Sequence, residues 1–505
     1  ALKAVPAGHK AIPLACLLKL KRNGMWKARA ILKGFLMKQG LHYNETFAPV
    51  PCLSVFRFIL AVAAALDWEI KQGDIITAFL QADMETEVYI AVPEWFKVGA
   101  TGDETGFTIR KLLKAIPGIP QGPRLFYLKT NPIFRSLKLL QSTSDYCLYY
   151  CPVNQLYLVI WVDDVVLTYP TSSTEFAAGL WKGCQKQIEL GEWQDIDDFL
   201  SCVVTRDREK RTLSLSQSKG IQKLLDRASP NIQNVASTPM VANLKLSKKD
   251  CPSPEQAAVM RDLQIWYRWV IATFIWFANF TRPDWAYAVG KLCKYMHNPG
   301  HTHIVALKHL LRHAAGTKTQ GLVYDFSDTE SRGSHYDFSK TKIKGCKLGI
   351  YGFYDAAHAD DMDSLRSTIA YLFLFRYCAI SWKSKLNTVL TTSTNHSEYC
   401  AAAMAAREAK WWEKLCEEIG FIDFVKPVDL FSDSKGSIAM TYNPVLRSAS
   451  KHVDLADHYV REQQELGTIT TTWVSTKALR ADMLTKPLPH VDHNRHASKV
   501  VREVL

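Results

Sequence analysis

LYLVIWVDDVVLTY, residues 156–169, sets two adjacent acids between two runs of β-forming residues. Val159, Ile160 and Val162 before the acids, and Val165, Val166 and Leu167 after them, are the material of buried strands. That pattern predicts a tight antiparallel hairpin with Asp163 and Asp164 at its tip, where a short side chain can bond its own backbone. Taken alone, the stretch also fits an ordinary Asp-Asp turn. A third acid in similar surroundings, Asp74 in IKQGDIITAFL, adds weight to a functional reading. Carboxylates gathered on a rigid apolar support repel one another unless a cation lies between them. Three acids at one sheet edge could hold two divalent ions about 3.5–4 Å apart, the arrangement used for in-line phosphoryl chemistry. Mg²⁺ suits such oxygen ligands and binds alongside substrate phosphates, with Mn²⁺ an alternative.

The bulk properties agree with a nucleic-acid partner. The 505 residues are too many for one core, so several domains are expected. A hydrophobic content of 47% with 22% charged residues excludes a disordered chain. A net charge of +13 calls for an anionic partner, nucleic acid first and a membrane surface second. No apolar run reaches the roughly 20 residues of a bilayer span, and no signal peptide opens the chain. The initial Ala reads as the start of a piece processed from something longer. Twelve cysteines without a CxxC pair argue against disulfide staples and zinc ribbons, and fit a reducing setting. His301, His303 and His309 lack the cysteines or acids that would complete a metal site.

Outward from the hairpin, residues 13–34 form a second expected hairpin around Asn23-Gly24, with Lys19, Lys21, Arg22, Lys27, Arg29 and Lys33 on its strands. Such a ribbon either grips phosphates or is a solvated face. SVFRFILAVAAALDW from Ser54 reads as a helix buried beneath a sheet. Residues 69–91 read as strand, short helical stretch and strand. KLLKAIPGIPQGPR, residues 111–124, is turn-rich and places Gln121 where backbone can be closely approached. A helix over 173–188 and strands over 199–205 and 212–215 follow. From Ser216 the pattern becomes helical: 216–227, a linker over 229–254, then 254–280, 285–297 and 301–315. A polar stretch, 317–344, reads as a domain linker. Strand–helix alternation then resumes as a compact α/β unit of about 145 residues. Four acids there fall at element ends: Asp355, Glu398, Asp433 and Asp482. Their placement makes a second metal site plausible, although most acids are solvated surface.

Taken together, KARAILKGF (27–35), NETFAPV (44–50), GDIITAFL (73–80), IPGIPQGPRLFY (116–127), WVDDVVL (161–167), TRPDWAYAVG (281–290), NPGHTH (298–303), STNHSEYCA (393–401), KHVDLADH (451–458) and ADMLTKPLP (481–489) resemble, in order, the reverse transcriptase and ribonuclease H portion of a copia-type long-terminal-repeat retrotransposon Pol polyprotein. The resemblance implies an α+β and α/β multidomain chain: a right-hand polymerase with fingers and palm in 1–215, a helical thumb and short connection in 216–344, a ribonuclease H-like domain in 345–490 and a C-terminal tail in 491–505. It implies RNA- and DNA-directed DNA synthesis, hydrolysis of RNA in RNA–DNA hybrids, and a two-metal mechanism at each site.

By resemblance, Asp74, Asp163 and Asp164 are the polymerase's metal ligands, and Asp355, Glu398, Asp433 and Asp482 those of the ribonuclease. Lys27 and Arg29 would meet the triphosphate, Phe79 would obstruct a ribose 2′-hydroxyl, and Gln121 would contact nucleotide or template. His452 and His458 are auxiliary. The implied partners are RNA template, DNA primer, RNA–DNA hybrid and dNTPs, with a homodimer or an integrase compatible and no membrane. The implied location is cytoplasmic, in a virus-like particle, or nuclear. Trp161 stands where the family usually has Tyr, and FLSCVV (199–204) lacks its usual Leu-Gly pair. The rival reading is a repurposed nucleic-acid-binding or assembly-forming protein that kept the fold without catalysis. Seven intact acids weigh against it.

Overall fold

The computed structural model describes residues 5–6, 9–20, 24–93, 109–327, 349–425, 427–442 and 455–504. The chain divides into two compact units, Ala1–Cys52 with Glu69–Asp195, and Leu53–Trp68 with Ile196–Leu505.

In the first unit, β1 (Ile12–Leu20) and β2 (Trp26–Leu32) form the expected basic hairpin, pairing Lys19 with Lys27 and Leu17 with Arg29. Lys21, Arg22 and Asn23 lie outside the described residues. β4 (Tyr89–Ala91) runs parallel to β1, and β5 (Ile109–Lys111) closes this four-stranded sheet. A second sheet has the order β10-β3-β9-β8-β7-β6, built from β3 (Glu69–Asp74), β6 (Leu140–Gln141), β7 (Leu148–Cys151), β8 (Leu156–Trp161), β9 (Asp164–Tyr169) and β10 (Gln194–Asp195). β8 and β9 are the predicted acid-tipped hairpin, and both are almost wholly buried because helices α2 (Gly122–Ser136) and α3 (Thr174–Gln185) belong to the same core. The hairpin turns at Val162, whose φ of 57° is left-handed.

Two loops of this unit meet through glycines. A Cβ on Gly34 would lie 1.9 Å from the Gly118 carbonyl oxygen, and one on Gly118, at φ +97°, 2.2 Å from that of Leu32. Only glycine permits that approach, which ties KARAILKGF to IPGIPQGPRLFY.

The second unit takes in α1 (Leu53–Ala65), buried from Val55 to Ala65. Its Arg57 is 4% exposed, stacks 4.0 Å from the Trp382 ring, and donates to the carbonyls of Ile380 (2.8 Å), Asn279 (2.9 Å) and Phe280 (3.1 Å). An antiparallel sheet joins β11 (Asp198–Phe199), β12 (Cys202–Asp207), β13 (Thr212–Ser216), β14 (Gln320–Asp325) and β20 (Val501–Glu503). Two expectations are corrected here. Part of the 317–344 linker is β14, and the 491–505 tail folds as α12 (His490–Ala497) and β20, whose Val501 pairs with Leu322. The rest of that linker, 328–344, lies outside the described residues.

Helices α4 (Ser218–Ala228), α5 (Pro254–Val259), α6 (Arg261–Phe280), α7 (Ala286–Cys293) and α8 (His301–Gly316) surround a core that includes Leu224, Tyr267, Phe274, Trp285 and Leu307. The single helix expected over 254–280 is two, parted at Met260. His303 accepts from the Gly300 amide through Nδ1 (3.0 Å), and His309 Nε2 lies 2.9 Å from the Thr238 carbonyl.

The last sheet has the order β17-β16-β15-β18-β19, from β15 (Ile350–Ala357), β16 (Thr368–Phe375), β17 (Cys378–Leu386), β18 (Val428–Ser432) and β19 (Ile469–Trp473). β15, β16 and β17 are antiparallel, whereas β18 and β19 extend the sheet parallel to β15. α9 (Thr394–Ile419) packs on β15 and β16, with α10 (Lys435–Tyr442) and α11 (Leu455–Glu465) beside it. No disulfide joins the described cysteines, and among the described residues no helix is long and apolar enough to cross a membrane.

Candidate functional sites

In the first unit, register brings the backbones of the opening motif's acids together, although their three carboxylates do not gather within 4.8 Å as those of the second unit do. Asp74, the last residue of β3, pairs with Asp164, the first of β9, so both lie at one end of the sheet. The Ile75 amide donates to the Asp163 carbonyl at 2.7 Å, tying the hairpin tip to the end of β3. Partial burial and the neighbouring Asp163 raise the pKa of Asp74, against an opposing pull from Lys27. Lys27 is exposed on β2. Arg29 is exposed on the same strand.

Phe79 is half-buried in the turn after Asp74, edge-to-face with Phe126 at 6.4 Å. Gln121 is 4% exposed, and its Nε2 donates to the His42 carbonyl at 3.0 Å, so the amide braces a loop from inside.

In the second unit, three of the four acids form a tight group. One carboxylate oxygen each from Asp355, Glu398 and Asp433 lies within 4.8 Å of the others, the one such group among the described residues. Asp355 sits near the end of β15, Glu398 in the second turn of α9, and Asp433 just past β18, so adjacent elements deliver the acids to the C-terminal ends of the neighbouring strands β15 and β18. Asp482 reaches the same place on a 3₁₀ turn, Arg480–Leu484, that packs on β15 and β16.

Burial and mutual repulsion dominate the electrostatics. The pKa of Asp355 is raised chiefly by burial, with Asp433 adding to it. Burial, Asp355 and Asp433 push Glu398 up to about 10, and burial with Asp355 pushes Asp482 up to about 7. Glu398 Oε2 is buried without a hydrogen-bond partner. A buried, unpaired acceptor is costly unless something occupies it. Hard oxygen ligands in this number and spacing suit a divalent cation such as Mg²⁺ or Mn²⁺.

The sequence reading missed the groups that hold the cluster. Thr485 donates its hydroxyl to Asp355 Oδ2, Thr476 donates to Asp433 Oδ2 at 2.6 Å, and Lys486 pairs with Asp482 Oδ1. Beside Glu398, the Ser397 hydroxyl lies 2.9 Å from His358 Nδ1, 2.7 Å from Thr391 and 2.9 Å from Ser367. This web fixes the start of α9. The stretch ADMLTK already held Thr485 and Lys486 three and four residues after Asp482, the spacing of one helical face. His452 lies outside the described residues, and so does the side chain of His458 on α11.

The turn Pro283–Trp285 backs the Arg480–Leu484 turn. Within it Arg282 and Asp284 form a two-pronged pair at 2.9 and 2.7 Å, and Arg282 also donates to the Thr317 carbonyl at 2.8 Å.

Residues 1–242 match the family described as reverse transcriptase (RNA-dependent DNA polymerase). The chain is 32% identical to the retrovirus-related Pol polyprotein from transposon TNT 1-94 of Nicotiana tabacum, over 97% of its own length and 35% of that protein's. It is 32% identical to that from transposon RE2 of Arabidopsis thaliana, over 94% and 30%. It therefore spans about a third of the length of these relatives. A solved foamy viral protease-reverse transcriptase in complex with RNA/DNA hybrid aligns over 92% of this chain and 50% of its own, at 12% identity and a TM-score of 0.45. Residues 1–242 are thus a domain of the reverse transcriptase family, in a chain that is similar over most of its length to the Pol polyproteins of plant copia-type transposons.

Proposed function

We propose that this chain is an RNA- and DNA-directed DNA polymerase that also hydrolyses the RNA strand of RNA–DNA hybrids. Asp74, Asp163 and Asp164 would serve synthesis, and Asp355, Glu398, Asp433 and Asp482 hydrolysis. The observation that carries the reading is the pairing of Asp74 with Asp164 at the hairpin tip, within the residues that match the reverse transcriptase family. The sheet order β17-β16-β15-β18-β19, with acids at the C-terminal ends of β15 and β18, supports a ribonuclease H-like reading of residues 345–490. Residues 1–215 would then be fingers and palm, and 216–344 thumb and connection.

Divalent ions bound at such acids would activate the attacking oxygen and steady the departing one. The chain's own residues do the rest. Lys27 and Arg29 offer exposed charge to a triphosphate near Asp74, and Phe79 would crowd the sugar of an incoming nucleotide. On α4 and α8, Lys219, Lys223, Lys308 and Arg312 are exposed while Leu224, Leu225, Leu307 and Leu310 are buried, so a basic face is left for duplex phosphates. At the second site the 2′-hydroxyl would separate RNA from DNA.

The test is primer extension on an RNA template with Mg²⁺, run beside cleavage of a labelled hybrid. Asp163→Asn should lose extension and keep cleavage, and Asp433→Asn the reverse. A wild type inactive in both assays would favour a protein that binds nucleic acid without chemistry.

A further inference from the structure

Lys486 gives the second acidic site a cation of its own. It lies four residues after Asp482, and its Nζ pairs with Asp482 Oδ1. The same ammonium acts on Asp355, Asp433 and Glu398. Asp482, 3% exposed, is not one of the three acids whose oxygens lie within 4.8 Å of one another. Glu398, 5% exposed, has Oε2 buried with no hydrogen-bond partner, and Asp482 Oδ1 is likewise buried with no partner besides its ion pair with Lys486. The site is thus asymmetric: among the described residues, Asp482 has an ion pair with Lys486, and the three acids within 4.8 Å of one another have none.

Resting on the ribonuclease reading of this site, we propose that Lys486 is a resident counter-cation that competes with the second divalent ion. One ion enters among Asp355, Glu398 and Asp433 with Lys486 in place. A second, sharing Asp482, enters only as the ammonium swings out toward solvent, which its partial exposure allows. An ammonium and a divalent cation brought to the same carboxylate repel one another, and at contact distance that repulsion is strong in a half-buried site. Lys486 would therefore hold the acids assembled when ions are scarce, and would make occupancy of the second position depend on ion concentration.

Mn²⁺ binding is measured on the full chain by calorimetric titration and by the Mn²⁺ resonance signal, in an Asp74→Asn, Asp163→Asn background that silences the other acids. One tight ion and one much weaker ion are expected. Lys486→Met should tighten the second ion by about tenfold or more and leave the first nearly unchanged. Lys486→Arg, which keeps the charge, should bind as the parent does, and thermal unfolding in EDTA checks that each variant is folded. Two equally tight ions in the parent, or a second ion unmoved or weakened in Lys486→Met, would overturn the proposal. Should Glu398→Gln leave both ions bound as before, the acids are no ion site at all and the underlying reading falls with it.

Discussion

Replacing Asp284 by Asn tests the support beneath the second site. Arg282 and Asp284 are 0% and 2% exposed at their side chains, and the aspartate takes two charge-assisted hydrogen bonds at 2.9 and 2.7 Å. Arginine does not give up its proton in proteins, so the substitution strands a buried guanidinium. Breaking such a pair from one side costs about 3–5 kcal/mol, and Asn, which keeps one acceptor, places the expectation near 3. Burial works against the Asp284 carboxylate, but Arg282 and His313 outweigh it and hold its pKa below the usual range. The stabilisation is therefore complete above the unfolded value of about 3.9 and is lost as pH falls through the lower, folded value. Urea unfolding should show the full deficit of Asp284→Asn at pH 7 and at pH 5, narrowing only below about pH 4. The double variant Arg282→Met, Asp284→Leu removes both charges and should be milder than Asp284→Asn alone. A deficit under about 1 kcal/mol, or a double variant worse than the single, would refute this account.

Thr485→Val removes the donor to Asp355 Oδ2 while keeping shape, and should weaken Mn²⁺ binding at the second site about 10- to 100-fold. Calorimetric titration checks it, with primer extension as the unaffected control. Gly118→Ala puts a Cβ 2.2 Å from the Leu32 carbonyl oxygen at a left-handed backbone position, and should cost at least about 1–3 kcal/mol in urea unfolding. Arg57→Lys loses the fork that reaches three carbonyls; a deficit of about 2–3 kcal/mol is expected by the same measurement.

The acid-tipped hairpin was legible because its signals are local: continuous runs of β-forming residues with a turn between them. The basic hairpin was legible for the same reason. What escaped were features set by distant partners. Helix α1 is apolar on every side, so its sequence points to no face, and its place with β17 and α6 depends on Arg57 finding the carbonyls of Ile380 and Phe280. Strand β20 is three residues long and has no period to read; it exists because β14 offers an edge. Gln121 sits in a loop whose glycines suggest close approach, but what approaches is the His42 carbonyl. The four acids of the second site were readable one by one. The lysine and threonine that organise them were visible only as neighbours of Asp482, since polar residues on a short turn look like solvated surface until it is packed against β15.

Packing against β15 has an energetic consequence that separates an ion site from a structural cluster. Burial, Asp355 and Asp433 push Glu398 up to about 10, so the ion-free fold keeps a proton there that the unfolded chain releases near pH 4.3. Stability of the ion-free protein must then fall as pH rises from about 4.3 toward 10. Glu398→Gln removes that penalty. In EDTA at pH 7.5 the variant should unfold at higher urea than wild type, by about 1 kcal/mol or more, and the gap should close near pH 5. Mn²⁺ narrows the gap, because an ion held at a hundredfold its Kd stabilises the protein that binds it by about 2.7 kcal/mol. A wild type that is the more stable protein in EDTA at every pH would mean that Glu398 is already satisfied within the fold, and that the cluster has no use for a metal.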